Sequence, residues 1–151
     1  MSEGNEYSEE QVKQQLVEEF KFYFEEVGTM TDSGYRVENP ELLRERAESG
    51  DQSALVVYNV YLDNVDKEPS QVATRNAFTD YAGCVIENAF GLYIAVIRGD
   101  LAEALIGAIQ KGLWSQAVTL VAQIAGLSVK SLNIAATAAQ IAAAAIVCGL
   151  K

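Results

Sequence analysis

The chain contains no histidine. That absence removes imidazole acid–base catalysis, Ser–His and Cys–His nucleophile pairs, and imidazole metal ligation. Cysteine is scarce too: Cys84 and Cys148 are the only two, too few for a thiolate zinc site. They either close one large loop or remain two thiols that pack as small hydrophobes. Proline occurs only as Pro40 and Pro69, which leaves long stretches free to run as uninterrupted helix. Lysine and arginine form no cluster, and an acidic surface repels phosphate backbones, so nucleic acid is not an expected partner. Charge of either sign is missing between Lys111 and Lys130 and again between Lys130 and Lys151.

What is present is apolar and acidic, in separate places. Half of the 151 residues are hydrophobic, enough for a core in one domain or two small ones. The net charge of −10 belongs to the first half. Met1 to Gly83 holds 18 acidic and 7 basic residues, whereas Cys84 to Lys151 holds 3 and 4. The acidic half reads either as a plain solubilising surface or as a device that keeps the rest in solution. Met1 to Glu6 has neither a basic stretch nor an apolar core, so it is not a secretory leader. The expectation is a cytosolic protein, or one from which a leader has been removed.

The patterning is helical nearly throughout. Ser8-Glu9-Glu10-Gln11 has the form of a capping box. Val12, Leu16, Phe20, Tyr23, Phe24 and Val27 follow at helical spacing, with Gly28 expected as a left-handed stop. Glu18, Glu19, Glu25 and Glu26 fall on the opposite, solvent face. Thr29 to Asn39 reads as a loop with a turn at Asp32-Ser33-Gly34. Asn39 and Pro40 open a short helix carrying Leu42, Leu43 and Ala47, and Gly50 ends it. Asp51 caps a third helix carrying Ala54, Leu55, Tyr58, Tyr61, Leu62 and Val65. Asp63 to Ser70 is the clearest linker. Beyond it, residues 71–98 form one long helix, with Phe78, Tyr81, Val85, Ala89, Leu92 and Val96 in register and a bend at Gly91. Shorter helices follow over Leu101–Lys111 and Leu113–Ala125, stopped by Gly112 and Gly126. The last helix is opened by Ser128 or Ser131 and runs to Cys148. The fold class is therefore all-α: a bundle of about six to seven helices, with acidic N-terminal helices packed on an Ala-rich C-terminal segment.

That last helix carries the main ambiguity. Alanines from Ala135 to Ala145 cover every face, and a helix that is apolar all round belongs in a core or in lipid. In a core it is the central helix of the bundle, with Asn133, Thr137 and Gln140 exposed or bonded internally. In lipid, it and the helix before it form a hairpin able to leave the soluble fold. Trp114, the only tryptophan, is expected to be buried in the bundle, the alternative being an anchor at a membrane interface.

No constellation points to catalysis. Gly112, Gly126 and Gly149 are single helix stops and not phosphate cradles. Glu87, Asp100 and Glu103, the only acids after Cys84, read as capping and surface charge. The chain is expected to be no enzyme and to need no metal or cofactor.

The block from Cys84 to Lys151 resembles the C-terminal part of closticin-like, protease-activated bacteriocins, and more loosely the sporulation-delaying toxin precursor. In those proteins an acidic region precedes a compact helical segment opened and closed by cysteines. Here Cys84 opens, Gly112-Leu113-Trp114 supplies a Gly-x-Trp element, Ala117 to Gly126 is the helix after it, and Ala135 to Cys148 closes. The resemblance implies a Cys84–Cys148 disulfide, which would place the protein in an oxidising compartment, and hence a secreted antimicrobial toxin. Residues 1–69 then act as an acidic pro-region and residues 70–151 as an effector that meets a lipid membrane or a membrane protein. The alternative is a cytoplasmic helical binding protein, an immunity or regulatory module with free thiols.

Overall fold

The computed structural model describes residues 8–31, 34–65, 77–91 and 99–148. Among these are seven α-helices and one antiparallel hairpin: α1 (Glu9–Lys21), β1 (Gly28–Thr31), β2 (Gly34–Val37), α2 (Pro40–Glu48), α3 (Gln52–Asn64), α4 (Ala77–Phe90), α5 (Gly99–Lys111), α6 (Trp114–Ala125) and α7 (Ile134–Cys148). The fold is a helical bundle around α7, which packs on α1, α3, α4 and β2. One apolar cluster runs from Val12 on α1 to Cys148 on α7 and takes in side chains from every helix.

The ends of these elements follow from local chemistry. Ser8 Oγ accepts from the Gln11 amide while Gln11 Oε1 accepts from the Ser8 amide, closing the capping box. Val12, Leu16 and Phe20 face inward from α1. The helix then widens into a π-helical turn over Phe22–Val27, which buries Tyr23, Phe24 and Val27. Asp51 caps α3 through the Ala54 amide. Gly112 and Gly126 stop α5 and α6 with φ of 73° and 72°. In each case the next amide reaches back across the last turn, Leu113 to the Ala108 carbonyl and Leu127 to that of Ala122.

Several expectations are corrected. Thr29 to Asn39 is not simply a loop: Gly28–Thr31 pairs with Gly34–Val37, with Gly28 opposite Val37 and Thr31 opposite Gly34. Asp32 and Ser33 of the expected turn lie outside the described residues. Gly28 is not a left-handed stop but the extended first residue of β1, with φ −165°. Its need for glycine is steric, because a Cβ there would lie 2.2 Å from the Arg36 carbonyl oxygen. Val27 secures the base of the hairpin by accepting from the amides of both Glu38 and Asn39. Asn39 does not cap α2 with its side chain; it donates to the Glu26 carbonyl instead.

On α3 only part of the apolar set is buried. Ala54 and Val57 are buried, Tyr58 and Tyr61 are half-buried, and Leu55, Val56, Leu62 and Val65 are exposed. A helix apolar on almost every side has no periodicity to select a face, so its neighbours select one. The helix reaches Asn64, two residues into the expected linker; Asp66 to Ser70 and the 69/70 boundary lie outside the described residues. Helix α4 ends at Phe90, and Gly91 with φ 68° terminates it rather than bending it. Residues 71–76 and 92–98 of the expected long helix, including Leu92 and Val96, lie outside the described residues, as does the side chain of Phe78. Neither Ser128 nor Ser131 opens α7. Ser128 precedes a short 3-10 turn over Val129–Ser131 and Ser131 is its last residue, and Asn133 Oδ1 caps α7 by accepting from the Ala136 amide.

Candidate functional site

The C-terminal segment is organised by two ties between α4 and α7. Cys84 and Cys148 form a disulfide with their Cα atoms 5.9 Å apart. One turn earlier on both helices, the Tyr81 hydroxyl donates to the Ala145 carbonyl at 3.0 Å. Both ties span 64 residues, so the two helices advance in the same direction where they meet. Asn88 sits over the bridge. Its amide donates to the Cys84 carbonyl at 2.8 Å and lies 3.5 and 3.6 Å from the two sulfurs. The two sequence-identified cysteines are thus brought together at one end of the apolar segment.

Helix α7, which bears one end of each tie, meets the acidic region through α1, α3 and β2. Ala138, Ile141, Ala142 and Ala145 have essentially no exposure. Small side chains let α1, α3 and α4 approach closely, the benefit of alanine in a central helix. Its one buried polar side chain, Thr137, is satisfied within the helix by donating to the Asn133 carbonyl at 2.6 Å. Gln140 faces solvent. Among the described residues no helix is long and apolar enough to cross a membrane.

Trp114 is 9% exposed and begins α6. It forms one wall of an open groove of about 720 Å³ between α6 and α1, with Val17, Lys13 and Lys21 on the facing helix. Leu113 beside it is exposed. Trp114 is therefore a core residue with an edge at a groove.

A charged cluster among the described residues was not foreseen. Glu19, expected on a solvent face, is only partly exposed and is paired with Arg46 of α2. Arg46 Nε also donates to Asp51 Oδ2 at 2.8 Å, and its guanidinium carbon lies 4.2 Å from the Phe22 ring centroid. Asp51 therefore caps α3 with one oxygen and holds Arg46 with the other. Burial opposes the Arg46 charge, but the hydrogen bond and field of Glu19, with Asp51 added, hold its pKa above the ordinary value. Nothing in the local sequence marks Arg46 apart from Arg44; only the meeting of three helices does.

A second set, Tyr23, Tyr35 and Tyr81, is held neutral chiefly by burial, which pushes all three hydroxyls above the usual tyrosine range. The field of Asp51 adds to this at Tyr23, and the neighbouring phenols do so at Tyr35. The Tyr35 hydroxyl donates to the Tyr23 carbonyl at 2.5 Å. The Tyr35 amide donates to the Tyr81 hydroxyl at 3.1 Å. The Tyr23 hydroxyl is buried with no hydrogen-bond partner among the described residues. Tyr81 was legible as an apolar-face residue of α4, but its hydroxyl's two partners were not.

No group of three or more metal-ligating side chains occurs among the described residues. Comparison with known proteins brings no match from a family model, a curated protein or a solved structure.

Proposed function

We propose that this chain is a bacteriocin-like antimicrobial proprotein, in which residues 70–151 act on a membrane and residues 1–69 keep them in solution. The observation that carries the reading is the setting of α7: charge-free, apolar on every side, tied to α4 by the disulfide, and covered on its other flanks by α1, α3 and β2 of the acidic region. Losing the acidic region uncovers those flanks and removes 17 acidic and 6 basic residues. What is left has lost its repulsion from anionic lipid. The disulfide supports an oxidising compartment, and so secretion. The fifteen residues of α7 reach about 22 Å, short of the roughly 30 Å of a bilayer core. Action as an in-plane or assembled helical layer therefore fits better than a single span.

The test is to place a specific protease site within residues 66–76 of the full chain and measure dye release from anionic vesicles before and after cleavage. The intact chain is expected to be inert and the cleaved chain to release dye. A cleaved, still folded chain that leaves the vesicles intact would refute the proposal. A second reading, a helical binding module, draws on α3 and its C-cap, where Leu55, Leu62 and Val65 are exposed apolar side chains. It predicts inert vesicles in both states.

A further inference from the structure

Tyr81 stands where the acidic region meets the disulfide-linked pair. Its hydroxyl is used in both directions, accepting from the Tyr35 amide of β2 and donating to the Ala145 carbonyl of α7. Each partner has a reason to need it. The Tyr35 amide belongs to a two-stranded sheet, in which alternate amides point away from the partner strand and must be satisfied elsewhere. Ala145 lies in the last turn of α7, where carbonyls run out of intrahelical donors. Gly34 lies flat on the same ring, a Cβ there being 3.5 Å from Tyr81 Cε1. The Tyr35 hydroxyl extends the relay to the Tyr23 carbonyl in the π-helical turn after α1. The result is a set of three hydrogen bonds, joined through the Tyr35 side chain, that links the π-helical turn after α1 to β2, α4 and α7 and arrives one turn before Cys148.

Most of the cover on α7 is apolar side chain against alanine, and such contacts are non-directional. They favour burial but do not specify which surface does the burying. The relay is directional, half-buried, and costly to leave unpaired on either side. We propose that Tyr81 is the catch of an autoinhibitory clasp: its hydroxyl locks the β-hairpin of the acidic region over the α4–α7 pair and holds the apolar segment closed. The inference rests on the membrane-active reading above and adds the contact that restrains it. Cutting the chain between residues 66 and 76 leaves this contact in place, so release after cleavage requires the clasp to open.

The experiment uses the full chain and the variant Tyr81→Phe, which removes the hydroxyl and keeps the ring under Gly34. Amide hydrogen exchange is measured together with dye release from anionic vesicles, with the cleavable wild-type chain as reference. The expected result is exchange at the Tyr35 amide faster by about tenfold, the equivalent of about 1.4 kcal/mol, while the amides of α6 keep their protection. The uncleaved variant is also expected to release dye where the uncleaved wild type does not. Unchanged protection at Tyr35, or an equal loss in α6, overturns the clasp, since the first means the contact is idle and the second that Tyr81 is merely core. Faster exchange confined to the hairpin with no dye release from the uncleaved variant, while the cleaved wild type does release dye, overturns the inhibitory role alone. If the cleaved wild type is itself inert, the membrane-active reading has failed and the inhibitory role fails with it, whatever the exchange data show.

Discussion

Breaking the disulfide should cost this protein a large part of its stability without changing its fold. Cys84 and Cys148 are 64 residues apart, so the bridge removes the freedom of a long loop from the unfolded chain. The chain-entropy relation gives about 4 kcal/mol for a loop of that size, against a total of roughly 5–15 kcal/mol for a typical domain. The folded state loses little in comparison. Cys148 is buried and Cys84 half-buried, and thiols or alanines at both positions still pack as small apolar groups. Tyr81 and Ala145, one turn away, continue to hold α4 on α7. The comparison is urea unfolding of the oxidised wild type, the reduced wild type and the double variant Cys84→Ala/Cys148→Ala. With a slope of about 2 kcal/mol per molar urea, the midpoint should fall by about 2 M in both altered forms, with far-UV and near-UV circular dichroism unchanged before the transition. A midpoint shift below about 0.5 M at unchanged slope would refute the reasoning, for it would mean that the unfolded chain keeps α4 and α7 together without the bridge. Loss of the near-UV spectrum on reduction would refute it differently, by showing that the bridge holds the native packing itself.

Trp114→Ala should destabilise by about 3–5 kcal/mol, as truncation of a buried aromatic does, and a polar quencher should reach the wild-type fluorescence weakly; strong quenching would contradict burial. Ala142→Leu adds volume where α7 has no exposure and should cost about 1–3 kcal/mol by overpacking; a variant as stable as wild type in urea would mean that α7 has slack around it. Tyr23, Tyr35 and Tyr81 have hydroxyls raised above their unfolded value. The folded chain keeps those protons after the unfolded chain has released them, so their contribution is intact below about pH 10 and falls above it, by about 1.4 kcal/mol per pH unit for each proton. Tyrosinate absorbance should therefore show these three of the seven tyrosines ionising only as the protein unfolds in alkali. A single titration of all seven before unfolding would refute it.

Where short-range chemistry decides the outcome, the sequence was sufficient. The capping box at Ser8, the cap at Asp51 and the stops at Gly112 and Gly126 depend on a few consecutive residues and stand as read. So does the bundle class, because apolar residues at helical spacing, with few prolines, can bury themselves in few other ways. The apolar surround of α7 marked it as a helix for a core or for lipid, and the resemblance to closticin-like bacteriocins implied the pairing of Cys84 with Cys148. Tertiary structure alone decided the rest. The hairpin at Gly28 to Val37 is too short to carry a periodicity, and the need for glycine at Gly28 comes from a carbonyl eight residues away. The inward face of α3 was chosen by its neighbours, since its own residues are apolar on too many sides to choose. Arg46 and Tyr81 matter through partners on other elements, at separations of 27 residues for Glu19, 46 for Tyr35 and 64 for Ala145. Such separations leave no local trace, because a side-chain hydrogen bond requires only that two groups end up about 3 Å apart.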